Sequence, residues 1–299
     1  MNTADMNTAR KQLRQHLSTG ATFWFAGAQD ALSALLVDQS GFDGVFTTGF
    51  GISASLLGQP DMELYTLSEN VQVVDHIVNV VRKPVFADAD TGYGGVLNVG
   101  RTVRAFEKAG VAALSIEDQV SPKRCPAAAA ASVTLSVADA VAKVHAAVDA
   151  RQDRDLLIVA RTDVADPHEA LDRAARYAEA GADLIQPISR TFSSYADLVQ
   201  LREVCGRPLS LQLMEGTWMA GLDRSQIESV AGFATYPLVT LMSMVHAVQG
   251  NLAALSPSRG GPLDHLPSGR TTMNEFKTLI GWQTLEQRQE HYELGRPSA

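Results

Sequence analysis

Residues 84–95 read P-V-F-A-D-A-D-T-G-Y-G-G, and this stretch decides how the rest of the chain is interpreted. The apolar run at Val85 and Phe86 predicts the end of a buried strand, and the glycines that follow predict a turn. Asp88 and Asp90 stand two residues apart, so on a strand their side chains point the same way. Two carboxylates at one spot repel each other unless a cation lies between them, which predicts a site for a hard dication such as magnesium. Taken alone, the stretch also fits a solvated turn rich in Asp and Gly.

The remainder of the chain alternates short apolar runs with helical patterns. Besides the run at Val85, the candidate strands are residues 22–26, 44–48, 112–116, 156–160, 182–185, 209–213 and 233–238. Such alternation predicts an α/β protein with a parallel sheet, and eight units predict a closed (β/α)8 TIM barrel. An open doubly wound sheet is the alternative, but no G-x-G-x-x-G follows the first strand.

Length and charge bound the class of protein. A chain of 299 residues with 45% hydrophobic content can bury the core of a single barrel. We expect residues 1–258 to form the catalytic barrel domain and residues 259–299 to form a linker and a C-terminal helical extension. The formal net charge of -8 argues against a nucleic-acid or anionic-membrane partner.

Cysteine content and apolar segments bear on the compartment. Cys125 and Cys205 form no C-x-x-C and have no zinc-type spacing, so neither a disulfide framework nor a structural zinc is predicted. The first ten residues contain no apolar core of a signal peptide, and the most apolar later helix, residues 239–255, carries polar side chains. The sequence therefore predicts a soluble, cytoplasmic protein.

Charged residues follow several of the predicted strands, and in a barrel of this kind the active site lies at the carboxyl ends of the strands. The residues at these ends are Thr48, Gly49, Asp88, Asp90, Glu117, Asp118, Arg161 and Asp163. Each alone fits a capping or loop residue, but several acids and an arginine at successive strand ends predict a site. The acids suit an oxygen-coordinated metal, and Arg161 offers a planar fork for a substrate carboxylate.

Several motifs in one order carry a resemblance to a known family. The motifs are G-F-D-G-V-F-T-T-G-F-G-I-S-A-S-L-L-G-Q-P-D, V-F-A-D-A-D-T-G-Y-G, A-L-S-I-E-D-Q-V-S-P-K-R-C and I-V-A-R-T-D. From about residue 28 to about residue 255 the chain resembles the isocitrate lyase / phosphoenolpyruvate mutase superfamily. The resemblance implies a magnesium-dependent barrel, with Mn²⁺ as an alternative ion. It also implies a small 2-oxo or 2-hydroxy carboxylate substrate, cleaved at a C-C bond through an enolate.

The resemblance also implies a role for individual residues. Asp90 would be the direct metal ligand, and Asp88 and Glu117 would hold metal-bound water. The expected catalytic residues are Cys125, Asp61 and Arg161. The expected substrate-binding residues are Phe46, Thr48, Gly49, Asp88 and Arg161. A metal at the enolate oxygen stabilises negative charge where it develops, which is where electrostatic catalysis is most effective.

The chain departs from the pattern of the lyases it resembles. Their K-R-C-G-H signature, with a proton-transferring cysteine, is replaced here by residues 123–126, K-R-C-P. Phe50, Ile188 and Gln212 stand where a small residue, a glutamate and an asparagine are usual. A smaller and drier pocket is expected, and with it a smaller or more apolar substrate. Cys125 is either the proton carrier or an ordinary loop residue.

Three functions follow from the resemblance. The first is a C-C lyase of the 2-methylisocitrate lyase type, including simple oxaloacetate decarboxylation. The second is a phosphonomutase that forms a P-C bond, as in the carboxyphosphonoenolpyruvate branch. The third is a non-catalytic relative that keeps the metal and carboxylate site.

The segment after the barrel predicts assembly. Residues 273–292 carry Met273, Phe276, Leu279 and Ile280 at helical spacing, which predicts a helix with an apolar face. Such a face must pack either on its own barrel or on another copy. In the superfamily that the chain resembles, C-terminal helices are commonly exchanged between subunits, and the linker at residues 256–269 is long enough to reach across. We therefore expect a homotetramer with exchanged C-terminal helices.

Overall fold

The structure is a computed structural model that describes residues 3–125, 132–257, 263 and 265–293. The backbone forms two compact units, Met1–Thr240 and Leu241–Ala299. The domain boundary expected at residue 258 lies outside the described residues. Among the described helices, none combines the length and apolar character that crossing a membrane requires.

Eight parallel strands close into a barrel in sequence order, with the first strand paired to the last. They are β1 Phe23–Ala28, β2 Gly44–Thr47, β3 Val85–Asp88, β4 Ala113–Glu117, β5 Leu157–Thr162, β6 Leu184–Pro187, β7 Leu209–Gln212 and β8 Ala231–Tyr236. The predicted barrel is confirmed, and the predicted strand bounds lie within two residues of these. Strands that are buried on both faces read as continuous apolar runs, which is why the sequence marks them well.

Twelve α-helices precede, connect or follow the strands in the described part of the chain. They are α1 Thr3–Ser18, α2 Ala31–Asp38, α3 Gly49–Leu57, α4 Leu67–Val80, α5 Val96–Ala109, α6 Val137–Ala150, α7 Pro167–Glu179, α8 Tyr195–Cys205, α9 Arg224–Val230, α10 Val239–Leu255, α11 Met273–Leu279 and α12 Trp282–Glu293.

The segment after β2 begins with α3, which Thr48 caps by accepting a hydrogen bond from the Gly51 amide. One helical prediction needs correction. The single helix expected over residues 273–292 is two helices, α11 and α12. Gly281 separates them with φ +71°, a left-handed conformation that a continuous helix cannot contain.

Phenylalanine rings fill the barrel interior and form the support on which the site rests. Phe25 lies 4.9 Å from Phe233 and 5.5 Å from Phe86 between ring centroids, and Phe86 lies 4.9 Å from Phe46. All four rings are buried, and each stabilises the fold by roughly 1.5–3 kcal/mol. Phe46 also borders the cavity at the carboxyl ends of the strands, so the ring stack sets where that cavity begins.

Candidate active site

A cavity of about 510 Å³ lies at the carboxyl ends of the strands. Residues expected in the site that line it are Phe46, Thr48, Asp61, Asp88, Cys125 and Arg161. Phe50, Ile188 and Gln212, the three departures from the lyase pattern, line it as well. The cavity therefore brings together residues from distant parts of the sequence, as a barrel active site requires.

Asp88 and Asp90 converge, but not for the reason that the sequence suggested. β3 ends at Asp88, and Asp90 follows it with φ +50°, so the two residues do not alternate along one strand. Asp88 Oδ1 accepts a hydrogen bond from the Asp90 amide at 3.1 Å. A Cβ atom built on Gly49 would lie 3.0 Å from Asp88 Oδ2 and 3.1 Å from Asp90 Oδ1. Both carboxylates thus face the backbone of Gly49, together with the Tyr65 hydroxyl, which would lie 2.8 Å from the same Cβ atom.

Asp90 is fully buried and its oxygens have partners. Tyr65 and Tyr93 each donate a hydroxyl hydrogen bond to Asp90 Oδ2 at 2.7 Å. Asp90 Oδ1 lies 2.9 Å from Lys123 Nζ. Asp88, in contrast, lines the cavity with one oxygen 3.4 Å from the Gly49 amide. Of the two aspartates, Asp88 is the one that lines the cavity.

Lys123 is the cation that contacts the buried acids Asp61 and Asp90. Its side chain is 1% exposed, and Nζ lies 2.6 Å from Asp61 Oδ2 as well as close to Asp90. Burial lowers the pKa of Lys123, but the surrounding carboxylates outweigh burial and raise this pKa well above its usual range. The lysine therefore stays charged and compensates two buried acids.

Arg161 is the cation of a second cluster of acids, Glu117 and Asp163. Its Nη1 lies 2.9 Å from Glu117 Oε2, and its Nη2 donates to Asp163 Oδ1 at 2.7 Å. The Asp163 amide in turn donates to Asp118 Oδ1 at 2.9 Å, and Arg173 Nη1 donates to Asp118 Oδ2 at 3.0 Å. This chain of contacts runs from the end of β5 to α7, so the orientation of Arg161 is set by the fold.

Burial shifts the pKa values of the acids. Desolvation, reinforced by the Asp90 charge, raises the pKa of Asp88 to about 6. Burial also raises the pKa of Glu117 well above its usual range, against the opposing effect of Arg161. The pKa of Asp61 is raised by burial too, although Lys123 opposes this shift. Perturbed carboxyl groups around one cavity are characteristic of functional sites.

Cys125 is half-buried at the edge of the cavity, and its amide donates to the Asp61 carbonyl oxygen at 3.1 Å. Cys125 and Asp61, both expected to act in catalysis, are therefore joined through their backbones. Pro126 and residues 127–131, which replace the usual Gly-His and its successors, lie outside the described residues.

The residues fit a divalent cation that is held largely by water. Asp88 and Asp90 direct oxygens at one space over Gly49, and Glu117 Oε1 is buried without a hydrogen-bond donor among the described residues. No group of three or more His, Cys, Asp or Glu side chains in the described chain is arranged for direct ligation. A cation at these acids would take only one or two protein carboxylates and complete its coordination with water.

Sequence reasoning missed the residues that support the acids. Lys123 was noted only as part of the K-R-C motif, yet it neutralises Asp61 and Asp90. Tyr65 and Tyr93 were not predicted to contact Asp90. Their hydroxyl groups carry no sequence signal, because a tyrosine after a strand fits an apolar core as well as a polar contact.

Fold and site together define a barrel protein with a cavity lined by charged residues at the carboxyl ends of its strands. A model of the phosphoenolpyruvate phosphomutase family matches residues 13–249. The chain is 36% identical over 297 residues to 2,3-dimethylmalate lyase from Eubacterium barkeri, which covers 97% of this chain and 100% of the relative. It is 38% identical over 270 residues to 2-methylisocitrate lyase from Aeropyrum pernix, covering 88% and 84%.

A solved structure agrees with these relatives. Phosphonopyruvate hydrolase in complex with oxalate and Mg²⁺ superposes with a TM-score of 0.83 and 28% identity, covering 97% of this chain and 99% of that one. The chain belongs to the phosphoenolpyruvate mutase / isocitrate lyase superfamily, as its motifs predicted. It is an enzyme of this superfamily, among whose members are carbon-carbon lyases.

Proposed function

We propose that the enzyme cleaves a C-C bond of a small 2-hydroxy acid that carries alkyl groups, giving a 2-oxo acid and a second carboxylic acid. The mixed lining of the cavity carries this proposal. Asp88, Arg161 and Cys125 contribute charged and polar groups to it. Its apolar lining includes Phe46, Phe50, Ile188, Met214 and Leu238. A pocket of this kind favours a ligand that carries both a carboxylate and alkyl groups.

The substrate class follows from the lining and from the relatives. 2,3-Dimethylmalate is a 2-hydroxy acid with two methyl groups, and the relative named for its cleavage matches this chain along nearly its whole length. Ile188 lines the cavity at a position where the resembled lyases carry a glutamate, so this part of the lining is hydrocarbon. A methyl group packs there without the cost of burying a polar group against hydrocarbon, which favours a methyl-substituted acid.

Three side chains carry the proton transfers and the binding. Arg161 uses Nη1 and Nη2 on Glu117 and Asp163, while its buried Nε donates to none of the described residues and remains for the substrate carboxylate. Asp61 Oδ1 likewise receives no hydrogen bond from the described chain and can accept the substrate hydroxyl proton. The C-C bond then breaks, the hydroxyl carbon becomes the carbonyl of the 2-oxo acid, and the electron pair goes to the other fragment. Cys125 gives a proton to the carbon of that fragment that held the broken bond and received the electron pair.

The proposed cofactor is Mg²⁺, with Mn²⁺ as a substitute, held by Asp88, Asp90 and Glu117. It would supply a Lewis acid that stabilises negative charge on the substrate oxygens. The convergence of Asp88 and Asp90 over Gly49 supports this assignment, as does the solved relative that binds oxalate with Mg²⁺. Asp90 Oδ1 also lies 2.9 Å from Lys123 Nζ, so a cation held there would share this oxygen with the ammonium group.

The experiment is a substrate panel with Mg²⁺, in which NMR identifies the products of 2,3-dimethylmalate, 2-methylisocitrate, oxaloacetate and phosphonopyruvate. We expect 2,3-dimethylmalate to be cleaved fastest, to pyruvate and propionate, with activity lost in EDTA and in Asp90→Ala. Cys125→Ser should lower kcat by about 10²–10⁴-fold if Cys125 transfers the proton, and Cys205→Ser serves as the matched control.

Other outcomes of the panel identify the alternatives. Preferred breakage of phosphonopyruvate would place the enzyme in P-C chemistry, as in the solved hydrolase relative. Oxaloacetate decarboxylation that is indifferent to Cys125→Ser would indicate a decarboxylase. Turnover of none of the four acids, with Mg²⁺ binding intact, would refute the lyase in favour of a binding protein.

The proposal includes a cytoplasmic homotetramer with exchanged C-terminal helices. α11 and α12 expose large apolar side chains, among them Met273 at 68%, Trp282 at 45% and Leu285 at 62%. A second copy of the chain would cover such side chains, each burial contributing roughly 1.5–3 kcal/mol. Light scattering should give a tetramer for the whole chain and a smaller species after truncation at Ser258. A monomeric whole chain would contradict the exchange.

A further inference from the structure

Glu63 has an unusual backbone conformation for its residue type. It lies in the connection between α3 and α4, half-buried, with φ +55° in the left-handed region. Residues other than glycine adopt this region rarely, and they persist there only where their surroundings hold them. Such a conformation indicates that contacts around Glu63 hold it in place.

The Glu63 carboxylate accepts hydrogen bonds from two other connections. Oε1 accepts from Thr91 Oγ1 at 2.6 Å and from Ser121 Oγ at 3.1 Å. Oε2 accepts from the Lys123 amide at 2.7 Å. Thr91 follows β3, whereas Ser121 and Lys123 follow β4. One carboxylate therefore joins the connections after β2, β3 and β4 beside the cavity.

Lys123 passes this attachment on to Cys125. The Lys123 amide is fixed by Glu63, and its ammonium group is fixed by Asp61 and Asp90. Two residues further on, the Cys125 amide donates to the Asp61 carbonyl oxygen. Since a short backbone segment anchored at both ends has little freedom, the position of the Cys125 thiol at the cavity depends on these contacts.

We propose that Glu63 is a positioning residue that acts through Lys123 and holds Cys125 at the cavity. The catalytic part rests on the proposed function, in which Cys125 donates a proton to the departing fragment. Glu63 itself touches neither Cys125 nor the reacting atoms; it fixes the segment that presents the thiol. Loss of its carboxylate therefore frees the thiol without removing a reacting group.

Two variants separate this role from a contribution to stability. Glu63→Gly removes all three hydrogen bonds but adopts φ +55° without strain, so the fold is retained. Glu63→Gln has one acceptor oxygen, so it cannot serve both the hydroxyl donors and the Lys123 amide. Glu69→Gln is the matched control, because the Glu69 carboxylate accepts only local hydrogen bonds from Thr66 at the start of α4.

The first measurement is the rate at which iodoacetamide labels Cys125, followed by mass spectrometry in a Cys205→Ala background. Both Glu63 variants should label about tenfold faster than the background protein, because losing a hydrogen bond to a charged group makes local opening easier. Glu69→Gln should label at the background rate. An unchanged rate in both Glu63 variants, with thermal unfolding intact, would overturn the proposal.

The second measurement is steady-state kinetics with 2,3-dimethylmalate and Mg²⁺. A misplaced proton donor lowers kcat, by about tenfold or more, and leaves KM within about threefold. Faster labelling with an unchanged kcat would overturn the catalytic role of Glu63. If the parent enzyme turns over none of the four acids in the panel, the proposed function fails, and the labelling ratio alone supports or overturns the positioning by Glu63.

Discussion

The two halves of the site neutralise their buried carboxylates with cations from different parts of the fold. Asp61 and Asp90 share Lys123, which lies in the connection after β4. Glu117 and Asp163 share Arg161, which lies on β5 within the barrel sheet. The lysine half, with Asp61 and Asp90, is therefore completed by a loop, and the arginine half, with Glu117 and Asp163, is completed by a strand.

A helix outside the barrel sheet supports the arginine half. Arg173 on α7 is 2% exposed and pairs with Asp118 at 3.0 Å and with Glu169 at 2.7 Å. Asp118 in turn accepts from the Asp163 amide. In the lysine half, the backbone amide of Lys123 is held by the carboxylate of Glu63, a loop residue. The arginine half is therefore held by strands and a helix, whereas the lysine half is held by contacts between connections.

The largest effect is expected from removing the strand cation. Arg161→Met leaves Glu117 and Asp163 buried without their shared guanidinium, and neither strand can move to admit water. Breaking a buried pair in this way costs about 3–5 kcal/mol of unfolding free energy. Lys123→Met should cost less, about 1–3 kcal/mol, because its loop can relax and hydrate Asp61. Urea unfolding without Mg²⁺ measures both, and equal losses would contradict the distinction between the halves.

Adding Mg²⁺ should separate the stabilities of the same two variants further. A dication bound by Asp88 and Asp90 can replace the charge of Lys123 at Asp90, whereas Arg161 also holds Asp163, which is not a proposed ligand. Mg²⁺ should therefore raise the melting temperature of Lys123→Met by more than that of Arg161→Met, since a ligand stabilises the folded state in proportion to its binding free energy. The same rise in both variants would count against a metal beside Lys123.

The difference between the halves also explains what the sequence could predict. Arg161, Glu117 and Asp88 follow apolar runs directly, so strand periodicity places them at the carboxyl end of the barrel. Their positions lie close to those expected, because a parallel barrel leaves buried strands little choice of register. The fold and the site residues at the strand ends could thus be predicted from the pattern of residues.

The contacts of the lysine half could not be predicted from the sequence in the same way. Asp61 and Lys123 are 62 residues apart, and their 2.6 Å contact depends on how two connections fold over the barrel. Asp90 was predicted beside Asp88 through strand alternation, yet it reaches that place through a left-handed turn after β3. Loop conformations of this kind are set by contacts such as those of Glu63, and no periodicity in the sequence records them.

The smallest effects concern the tyrosines that hold one buried acid in each half. Tyr65 and Tyr93 donate to the same oxygen, Asp90 Oδ2, and Tyr177 donates to Asp118 Oδ2 at 2.8 Å. Each single change to Phe should cost about 0.5–1.5 kcal/mol of unfolding free energy, because the acid keeps another partner. Changing both Tyr65 and Tyr93 leaves Asp90 Oδ2 without a hydroxyl donor, so the double variant should lose at least about 0.5 kcal/mol more than the sum of the singles. Tyr65→Phe combined with Tyr177→Phe should be additive, since the two hydroxyls share no acceptor. Urea unfolding of the two double-mutant cycles decides the matter, and an additive Tyr65 and Tyr93 pair would mean that Asp90 does not depend on this shared oxygen.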